Sequence, residues 1–435
     1  MSGGHLEEVP LERVDEAPPD AAPSSDPLLV VDNLEVRFPT DDGEVQAVRG
    51  ISYEVREREV LGIVGESGCG KSVSSMAMLG LLPSTAKISG SAKFRGQELL
   101  NAPDRELRAL RGLKVAMIFQ DPMTSMNPVY TVGKQLAEAV RAHHEVSHKV
   151  AKNRAIEMLE LVGIPQPKSR ADSYPHEFSG GMRQRAMIAM AIINNPDLII
   201  ADEPTTALDV TVQAQILETL ESVKDEVGAA IILITHDLGV IAGMADRVKV
   251  MYAGRIVESG TAEQIFDTPR MPYSAGLLGS IPSMDSSGTL LTPIAGTPPS
   301  LLDPPEGCPF VPRCPLAVPE CDQSEPDLFE TEQPRHEAAC WRWEHLLTVD
   351  DPRLLFRTGN ELVDAGIVDP EAALAGGDQP VATERPGADT TVSHESTPDE
   401  LGINEPATVD RATDTTVSHE PATDEPMPDE TERRS

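Results

Sequence analysis

The stretch that decides the fold is "EVLGIVGESGCGKS", residues 59–72. "EVLGIV" (59–64) predicts a buried strand, and "GESGCGKS" (65–72) fits the pattern G-x-x-x-x-G-K-[ST]. The glycines let successive N–H groups turn inward around phosphate oxygens, and a helix predicted over 71–82 points its positive end at the same place. A chance glycine-rich loop is the alternative, but the position between a strand and a helix favours a phosphate-binding loop.

Each residue of this loop then has an expected role. Lys71 reaches the outer phosphates of a nucleotide, and the hydroxyl of Ser72 binds Mg²⁺. Cys69 is expected to be simply a small residue of the loop; the alternative is a thiol whose pKa is lowered near the helix start, which would be alkylated readily in the absence of nucleotide. The other loop residues predicted to contact nucleotide are Gly65, Glu66, Ser67, Gly68 and Gly70.

A second stretch, "LIIADEP" (198–204), ends an apolar strand in two adjacent carboxylates. Such a pair is costly unless it emerges beside a cation. Asp202 is expected to hold Mg²⁺ through water, and Glu203 to polarise the attacking water as general base. Taken alone, the stretch is equally a buried strand with a solvated end; together with the loop, it indicates a nucleotide site.

Strand and helix patterns alternate from residue 28 to about residue 280. "AIILIT" (230–235) is another buried strand, and the helical spacing of residues 209–227 ends at Gly228, a plausible C-cap. This order predicts right-handed crossovers and an α/β fold with a parallel sheet.

Four more motifs make the chain resemble the ATPases of ABC transporters. "FQDP" (119–122), "FSGGMRQR" (178–185), "TTALD" (205–209) and "ITHD" (234–237) are similar to their Q-loop, signature, D-loop and switch histidine. The resemblance implies a P-loop NTPase cassette with a RecA-like parallel-sheet core, an antiparallel β subdomain and a helical subdomain over about 121–178. Met182 departs from the glutamine of the commonest signature.

The resemblance also assigns roles to residues outside the phosphate loop. It implies two cassettes closing head to tail, so that Ser179, Gly180 and Gly181 of one chain cap the ATP of the other. His236 would contact the γ-phosphate, Gln120 would bind Mg²⁺ and the lytic water, and Asp209 belongs to the D-loop. Phe38 is the candidate for stacking on adenine, with an ordinary apolar residue at a strand end as the alternative.

Longer stretches are similar to the dipeptide/oligopeptide (peptide/nickel) permease ATPases, among them "QDPMTSMNPVYTVGKQ" (120–135) and "CPFVPRCPLA" (308–317). This resemblance implies one of two ATPase subunits beneath two membrane permease subunits, importing a solute delivered by an extracellular solute-binding protein. The transported solute, whether dipeptide, oligopeptide, nickel or sugar, does not follow from the sequence.

Composition divides the rest of the chain. An acidic disordered arm (1–27) precedes the cassette (28–280), a proline- and cysteine-rich extension (281–345) follows it, and an acidic disordered tail (346–435) contains "DTTVSHE" twice. The net charge of −35 argues against a nucleic-acid partner and suggests adaptation to high internal salt. No signal peptide or apolar run of about 20 residues appears, which predicts a protein that is cytoplasmic or peripheral on the cytoplasmic side of the cell membrane; the resemblance to permease ATPases implies the second.

Four of the five cysteines cluster in the extension: Cys308, Cys314, Cys321 and Cys340. In a reducing compartment such a cluster favours metal over disulfides, and the spacing alone does not choose between iron–sulfur and zinc. Because some peptide-type relatives carry a [4Fe–4S] cluster here, the resemblance favours that cluster, with zinc as the alternative. A proline-rich segment poor in apolar residues would gain its order from such a staple.

Two rival functions have sequence features of their own. A soluble ABC ATPase acting in DNA repair or translation would be expected to show two cassettes, a coiled-coil insertion or a basic surface. A non-catalytic cassette would be expected to lack residues such as Lys71, Glu203 or His236, which are all present.

Overall fold

The computed structural model describes residues 26–206, 208–281, 293–349 and 351–356. The predicted arm lies outside these residues except for its last two positions, and the predicted tail lies outside them beyond residue 356. Within the described ranges, no helix is long and apolar enough to cross a bilayer.

The strands of the described residues are, in chain order, β1 (Leu29–Thr40), β2 (Gly43–Val55), β3 (Val60–Val64), β4 (Lys87–Phe94), β5 (Gln97–Glu98), β6 (Val115–Ile118), β7 (Leu198–Asp202), β8 (Ala230–Thr235), β9 (Arg247–Tyr252), β10 (Arg255–Thr261), β11 (Phe329–Glu330) and β12 (Glu337–Ala338).

The helices are α1 (Lys71–Met78), α2 (Asp104–Leu110), α3 (Pro122–Ser125), α4 (Val132–Arg141), α5 (His148–Leu161), α6 (Pro167–Arg170), α7 (Gly180–Ile192), α8 (Val210–Val227), α9 (Leu238–Ala242), α10 (Ala262–Asp267), α11 (Pro272–Gly279), α12 (Pro319–Gln323) and α13 (Trp343–Leu346). Short 3-10 turns cover Pro175–Glu177, Val311–Arg313 and Pro352–Leu354.

Eight strands form the main sheet, in the order β11-β12-β10-β9-β3-β8-β7-β6. The neighbours from β9 to β6 run parallel, and β10, β12 and β11 join antiparallel at one edge. Every residue of β3, β7 and β8 is buried, as expected for central parallel strands covered on both faces. The predicted α/β fold with a parallel-sheet core is confirmed.

Helix ends follow the local sequence. Helix α8 begins after Asp209, whose carboxylate accepts a hydrogen bond from the Val212 N–H, and ends at Gly228 in a left-handed conformation (φ 67°). Helix α1 stops at Met78 instead of continuing to residue 82, because Gly80 also turns left-handed (φ 59°). The bounds of α8 agree with the helix predicted over 209–227. Helix α1 is shorter than the helix predicted over 71–82.

The two faces of the main sheet have separate cores. On one face lies an antiparallel sheet, ordered β2-β1-β4-β5, whose buried residues share a core with helix α1 and with β3 and β8. On the other face lie helices α8 and α9 and the helical region, α3 to α7. The predicted helical subdomain ends at residue 178, but α7 packs against α3, α4 and α5 and so completes this region.

The extension (281–345) packs against the cassette. Its strand β12 pairs with β10, and Phe310 (1% exposed) lies among the rings of Tyr252, Tyr273 and Phe356. The predicted boundary after residue 345 falls inside α13, and the packed chain continues to Phe356. Leu355 is buried and the ring of Phe356 packs against that of Phe310, so the packed part of the chain is longer than predicted.

Candidate functional site

The phosphate-binding loop connects β3 to α1, as the motif predicts. Gly65 (φ 155°) and Gly70 (φ 103°) have conformations that other residues rarely adopt. A Cβ on Gly70 would lie 2.2 Å from the carbonyl oxygen of Ala47, and one on Gly65 would lie 2.2 Å from that of Met251. The glycines are therefore required by two close backbone approaches as well as by the loop itself.

Lys71 is folded back over the loop. Its Nζ donates hydrogen bonds to the carbonyl oxygens of Gly65 (2.7 Å) and Glu66 (3.0 Å), and its side chain is buried. These oxygens hold the ammonium group at the mouth of the loop, where phosphate oxygens of a nucleotide can replace them as partners.

Ser72 and Asp202 meet at the end of β7. The Ser72 hydroxyl donates a 2.8 Å hydrogen bond to Oδ1 of Asp202, which is buried. Burial raises the pKa of Asp202; the hydrogen bond from Ser72 opposes this shift, and the charge of Glu203 adds to it. A hydroxyl and a carboxylate side by side are the oxygen ligands that Mg²⁺ uses in nucleotide sites.

Glu203 lies close to the two other residues predicted to be catalytic, Gln120 and His236. Its Oε2 accepts hydrogen bonds from Gln120 Nε2 (3.0 Å) and Thr206 Oγ1 (2.8 Å), and lies 3.4 Å from His236 Nδ1. Glu203 itself has a positive φ of 46°, which turns its side chain out of the line of β7. The structure thus brings together the three residues predicted to be catalytic, and adds Thr206.

A cavity of about 510 Å³ lies over this arrangement. The predicted site residues on its wall are Glu66, Ser67, Gly68, Gly70, Lys71, Ser72, Gln120, Glu203 and His236. Ala47, Val73 and Leu277 line it too. Phe38 does not: it packs against the core under the antiparallel sheet, and its adenine contact stays a prediction.

The structure agrees with Cys69 as a small loop residue and contradicts the alternative of a reactive thiol. Cys69 is only 5% exposed, because the loop folds its side chain inward against Gly65. Burial raises the pKa of its thiol, and the nearby Lys71 opposes this shift without reversing its direction. A neutral, covered thiol is a poor nucleophile, so Cys69 acts as a small packing residue.

The signature residues line a different cavity, of about 370 Å³. Ser179 is the N-cap of α7, and its hydroxyl accepts a hydrogen bond from the Met182 N–H. Gly180, Gly181 and Asp209 lie on the same wall, and none of the phosphate-loop residues does. The phosphate-loop residues and the signature residues therefore line two separate cavities.

The four cysteines of the extension come together around one small cavity, which they share with apolar neighbours. Burial raises the pKa of Cys308 to about 11 and that of Cys340 to about 12, and the charge of Cys321 adds to both shifts. Among the described residues, no group of three His, Cys, Asp or Glu side chains already has the arrangement of a metal site. The thiols thus line one cavity without forming a ready coordination sphere.

Sequence reasoning missed some residues that shape the site. Thr206 lies inside the quoted "TTALD" stretch, where its hydroxyl three positions after Glu203 was the available signal. Tyr273, whose hydroxyl accepts a hydrogen bond from the Glu66 N–H, lies 207 positions away from it. No local pattern points to a contact of that range.

Family models match two parts of the chain. Residues 48–206 match the model described as "ABC transporter". Residues 257–321 match the one described as "Oligopeptide/dipeptide transporter, C-terminal region".

Relatives matched over most of the chain agree with these two family matches. The chain is 52% identical over 332 residues to the dipeptide transport ATP-binding protein DppD of Bacillus subtilis, covering 75% of this chain and 99% of the relative. It is 52% identical over 315 residues to the oligopeptide transport ATP-binding protein OppD of Salmonella typhimurium, covering 72% and 93%.

A longer relative is matched over part of its length. The chain is 52% identical over 345 residues to OppD of Mycobacterium bovis, covering 79% of this chain but 56% of that protein. The chain thus spans little more than half the length of the mycobacterial relative. Together with the phosphate loop, the carboxylate pair and the signature, these matches show that the chain belongs to the family of ATP-binding subunits of oligopeptide and dipeptide ABC transporters.

Proposed function

We propose that this protein hydrolyses ATP to drive import of dipeptides, oligopeptides or a related solute through a membrane permease. The observation that carries the proposal is the division of the nucleotide site: the phosphate-loop cavity holds Lys71 and Glu203, and a separate cavity holds Ser179. A second ATPase subunit, a copy or a paralogue, then supplies the signature that each bound ATP lacks. Relatives named as oligopeptide and dipeptide transport proteins support the choice of solute.

The chemistry assigned to the site follows from its geometry. Lys71 would leave the two carbonyl oxygens that now hold it and contact the outer phosphates of ATP. Ser72, Gln120 and Asp202 would hold Mg²⁺, which neutralises charge on the β- and γ-phosphates. Their convergence at the end of β7 fits an oxygen-ligated cation.

Glu203 would take the proton of the attacking water. Gln120 and His236 lie within 3.0 and 3.4 Å of its Oε2, so both are placed to orient the water and contact the γ-phosphate beside the base. Thr206, which donates to the same oxygen, would keep the carboxylate pointed into the cavity. Capping by the partner's signature would complete the site and exclude bulk water, leaving the attacking water in place.

An apolar groove on the surface is an argument for permease partners. A cavity of about 290 Å³ lies between the main sheet and the helical region, and Phe119 (38% exposed) and Leu81 (41% exposed) open from it to the surface. Exposed apolar side chains around a concave surface are typical of protein–protein contacts. We assign this groove to the two transmembrane permease subunits, with an extracellular solute-binding protein delivering the solute. The protein would then lie peripherally on the cytoplasmic side of the membrane.

We also propose that the four cysteines hold a metal, with [4Fe–4S] favoured over zinc. Their convergence on one cavity supports this, since four thiols are a soft donor set that suits either group. Protein purified anaerobically should be brown and contain iron and sulfide. A colourless protein with stoichiometric zinc would reject the cluster, and a protein with neither would reject the metal site. Adaptation to high salt stays a prediction.

Reconstitution tests the transport function. The full chain, assembled with its permeases in vesicles, should hydrolyse ATP and accumulate peptide only when the solute-binding protein is present. The rival function in DNA repair or translation predicts the opposite pattern. Hydrolysis stimulated by nucleic acid or ribosomes, and indifferent to permeases and peptide, would overturn the proposal.

A further inference from the structure

A buried arginine of the extension reaches the phosphate-binding loop. Arg313, whose side chain is 3% exposed, donates from Nη1 to Glu66 Oε2 (2.6 Å) and from Nη2 to Glu66 Oε1 (2.7 Å). The two residues are 247 positions apart. A two-bond contact between a guanidinium and a carboxylate is the strongest and most directional ion pair that side chains form.

Arg313 is held in place from several sides. Its Nε donates to the carbonyl oxygen of Ala295 (3.1 Å) and its Nη1 also to the hydroxyl of Tyr252 (3.3 Å). The guanidinium carbon lies 5.8 and 5.7 Å from the ring centroids of Tyr252 and Phe310. The arginine is thus fixed by the fold of the extension and presents its charge to the loop at little further entropic cost.

Glu66 is the residue through which this contact acts on the loop. Its backbone N–H donates to the Tyr273 hydroxyl (2.9 Å), and its carbonyl oxygen accepts from Lys71 Nζ (3.0 Å). Glu66 lies on the wall of the phosphate-loop cavity, and its side chain is 26% exposed. An unpaired carboxylate in this position would repel the phosphates of ATP, because both are negative and lie in a partly buried site.

We propose that Arg313 is a positioning residue of the nucleotide site: it holds the Glu66 carboxylate and neutralises its charge, so that this carboxylate does not repel the phosphates of ATP. The extension then serves the ATPase reaction directly, besides adding strands to the edge of the main sheet. This inference rests on the proposed ATP site, and it holds whichever metal the cysteines take.

A double-mutant cycle tests it on the full chain. MgATP affinity is measured by calorimetry for the wild type, Arg313→Gln, Glu66→Gln and the double variant. Arg313→Gln should weaken ATP binding on the order of tenfold, because it leaves the Glu66 carboxylate uncompensated. This loss should disappear in the Glu66→Gln background, where no carboxylate is left to compensate, so the double variant should bind ATP as tightly as Glu66→Gln.

Each other outcome overturns the inference. Unchanged affinity in a folded Arg313→Gln protein would show that the pair does not act on ATP. A double variant that binds ATP about tenfold more weakly than Glu66→Gln would show that the arginine acts only through the fold. Should both Arg313→Gln variants fail to fold, Arg313→Lys decides alone, since a loss of about tenfold there contradicts a role of the charge.

Two controls complete the design. Arg313→Lys keeps the charge but loses the two-bond geometry, so its affinity should lie within about threefold of the wild type; a loss as large as that of Arg313→Gln would exclude charge as the cause. The wild-type titration separates the two levels of proposal. A wild type that does not bind ATP refutes the ATP site, whereas a normal wild type with variants that bind equally well refutes only the role of Arg313.

Discussion

The hydroxyl of Ser72 and the carboxylate of Asp202 share a 2.8 Å hydrogen bond, although they stand 130 positions apart in the chain. Ser72 is the second residue of α1, which follows β3. Asp202 is the last residue of β7, which lies two strands away from β3 in the main sheet. In the nucleotide-free protein the two groups satisfy each other's hydrogen-bonding capacity. A bound cation would replace this hydrogen bond. Burial makes the charge of Asp202 unfavourable for folding of the empty protein, and the hydrogen bond from Ser72 offsets only part of this effect.

Replacing Asp202 by Asn should therefore have opposite effects on stability and on binding. Burial holds the folded-state pKa of Asp202 above its unfolded value, so its ionised form at neutral pH costs stability. We expect Asp202→Asn to raise the melting temperature of the nucleotide-free protein by about 2 °C. The stabilisation of the wild type by MgATP should be lost in the variant. Thermal melting with and without MgATP measures both effects.

The pH dependence of this effect has a definite sign. The stability linked to protonated Asp202 is present below its unfolded pKa and is lost as the pH rises through its raised folded pKa. The advantage of Asp202→Asn should therefore shrink in acidic buffer. The exposed Asp225→Asn serves as control and should melt like the wild type at every pH. A lower melting temperature for Asp202→Asn at neutral pH would contradict the argument.

Glu203→Gln tests the general base. The amide keeps the size of the side chain but does not accept the proton of water, so hydrolysis should fall by about 100-fold or more. ATP binding should remain, since the phosphates are held by the loop. The matched control is Glu221→Gln, an exposed change on α8 that should hydrolyse ATP normally. Steady-state phosphate release that stays at the wild-type level would refute the assignment of Glu203.

Local motifs account for the parts of the site that were predictable. The phosphate loop, the carboxylate pair and the helix start at Gly180 are short segments whose function is set by neighbours in sequence. Alternating apolar runs likewise gave the parallel strands, because strands buried on both faces need continuous apolar residues. Such features can be read without knowing how distant segments meet.

The remaining features depend on distant segments. Cys69 is buried in the same core as Met251, a distant residue of β9, so the loop sequence alone does not show how exposed its thiol is. The contact between Arg313 and Glu66 joins two segments that carry no complementary pattern beyond opposite charge. The packed chain beyond residue 345 was missed because its few apolar residues stand in an acidic, disorder-like composition.

The separation of the two cavities predicts that binding and hydrolysis can be lost separately. Ser179→Arg fills the signature cavity, where it should block capping of the partner's ATP and lower hydrolysis on the order of 100-fold. ATP binding to the isolated chain should not change, because the phosphate-loop cavity contains no signature residue. Lys71→Ala is the contrasting variant and should lose binding itself. Loss of ATP binding by an isolated Ser179→Arg chain would argue against a site divided between subunits.

The packing of the extension can be tested at Phe310, which is 1% exposed and lies 5.3 Å from the ring centroid of Tyr252 and 5.4 Å from that of Tyr273. Phe310→Ala removes a large ring from a filled aromatic cluster, so the free energy of unfolding should fall by about 3–5 kcal/mol. Phe119→Ala is the matched control: its ring is 38% exposed, and the same truncation should cost far less. Urea denaturation of the three proteins, compared at equal temperature, measures the difference. If the two variants lost equal stability, the extension would not be packed as a part of the cassette core, because an exposed ring and a buried one would then contribute alike.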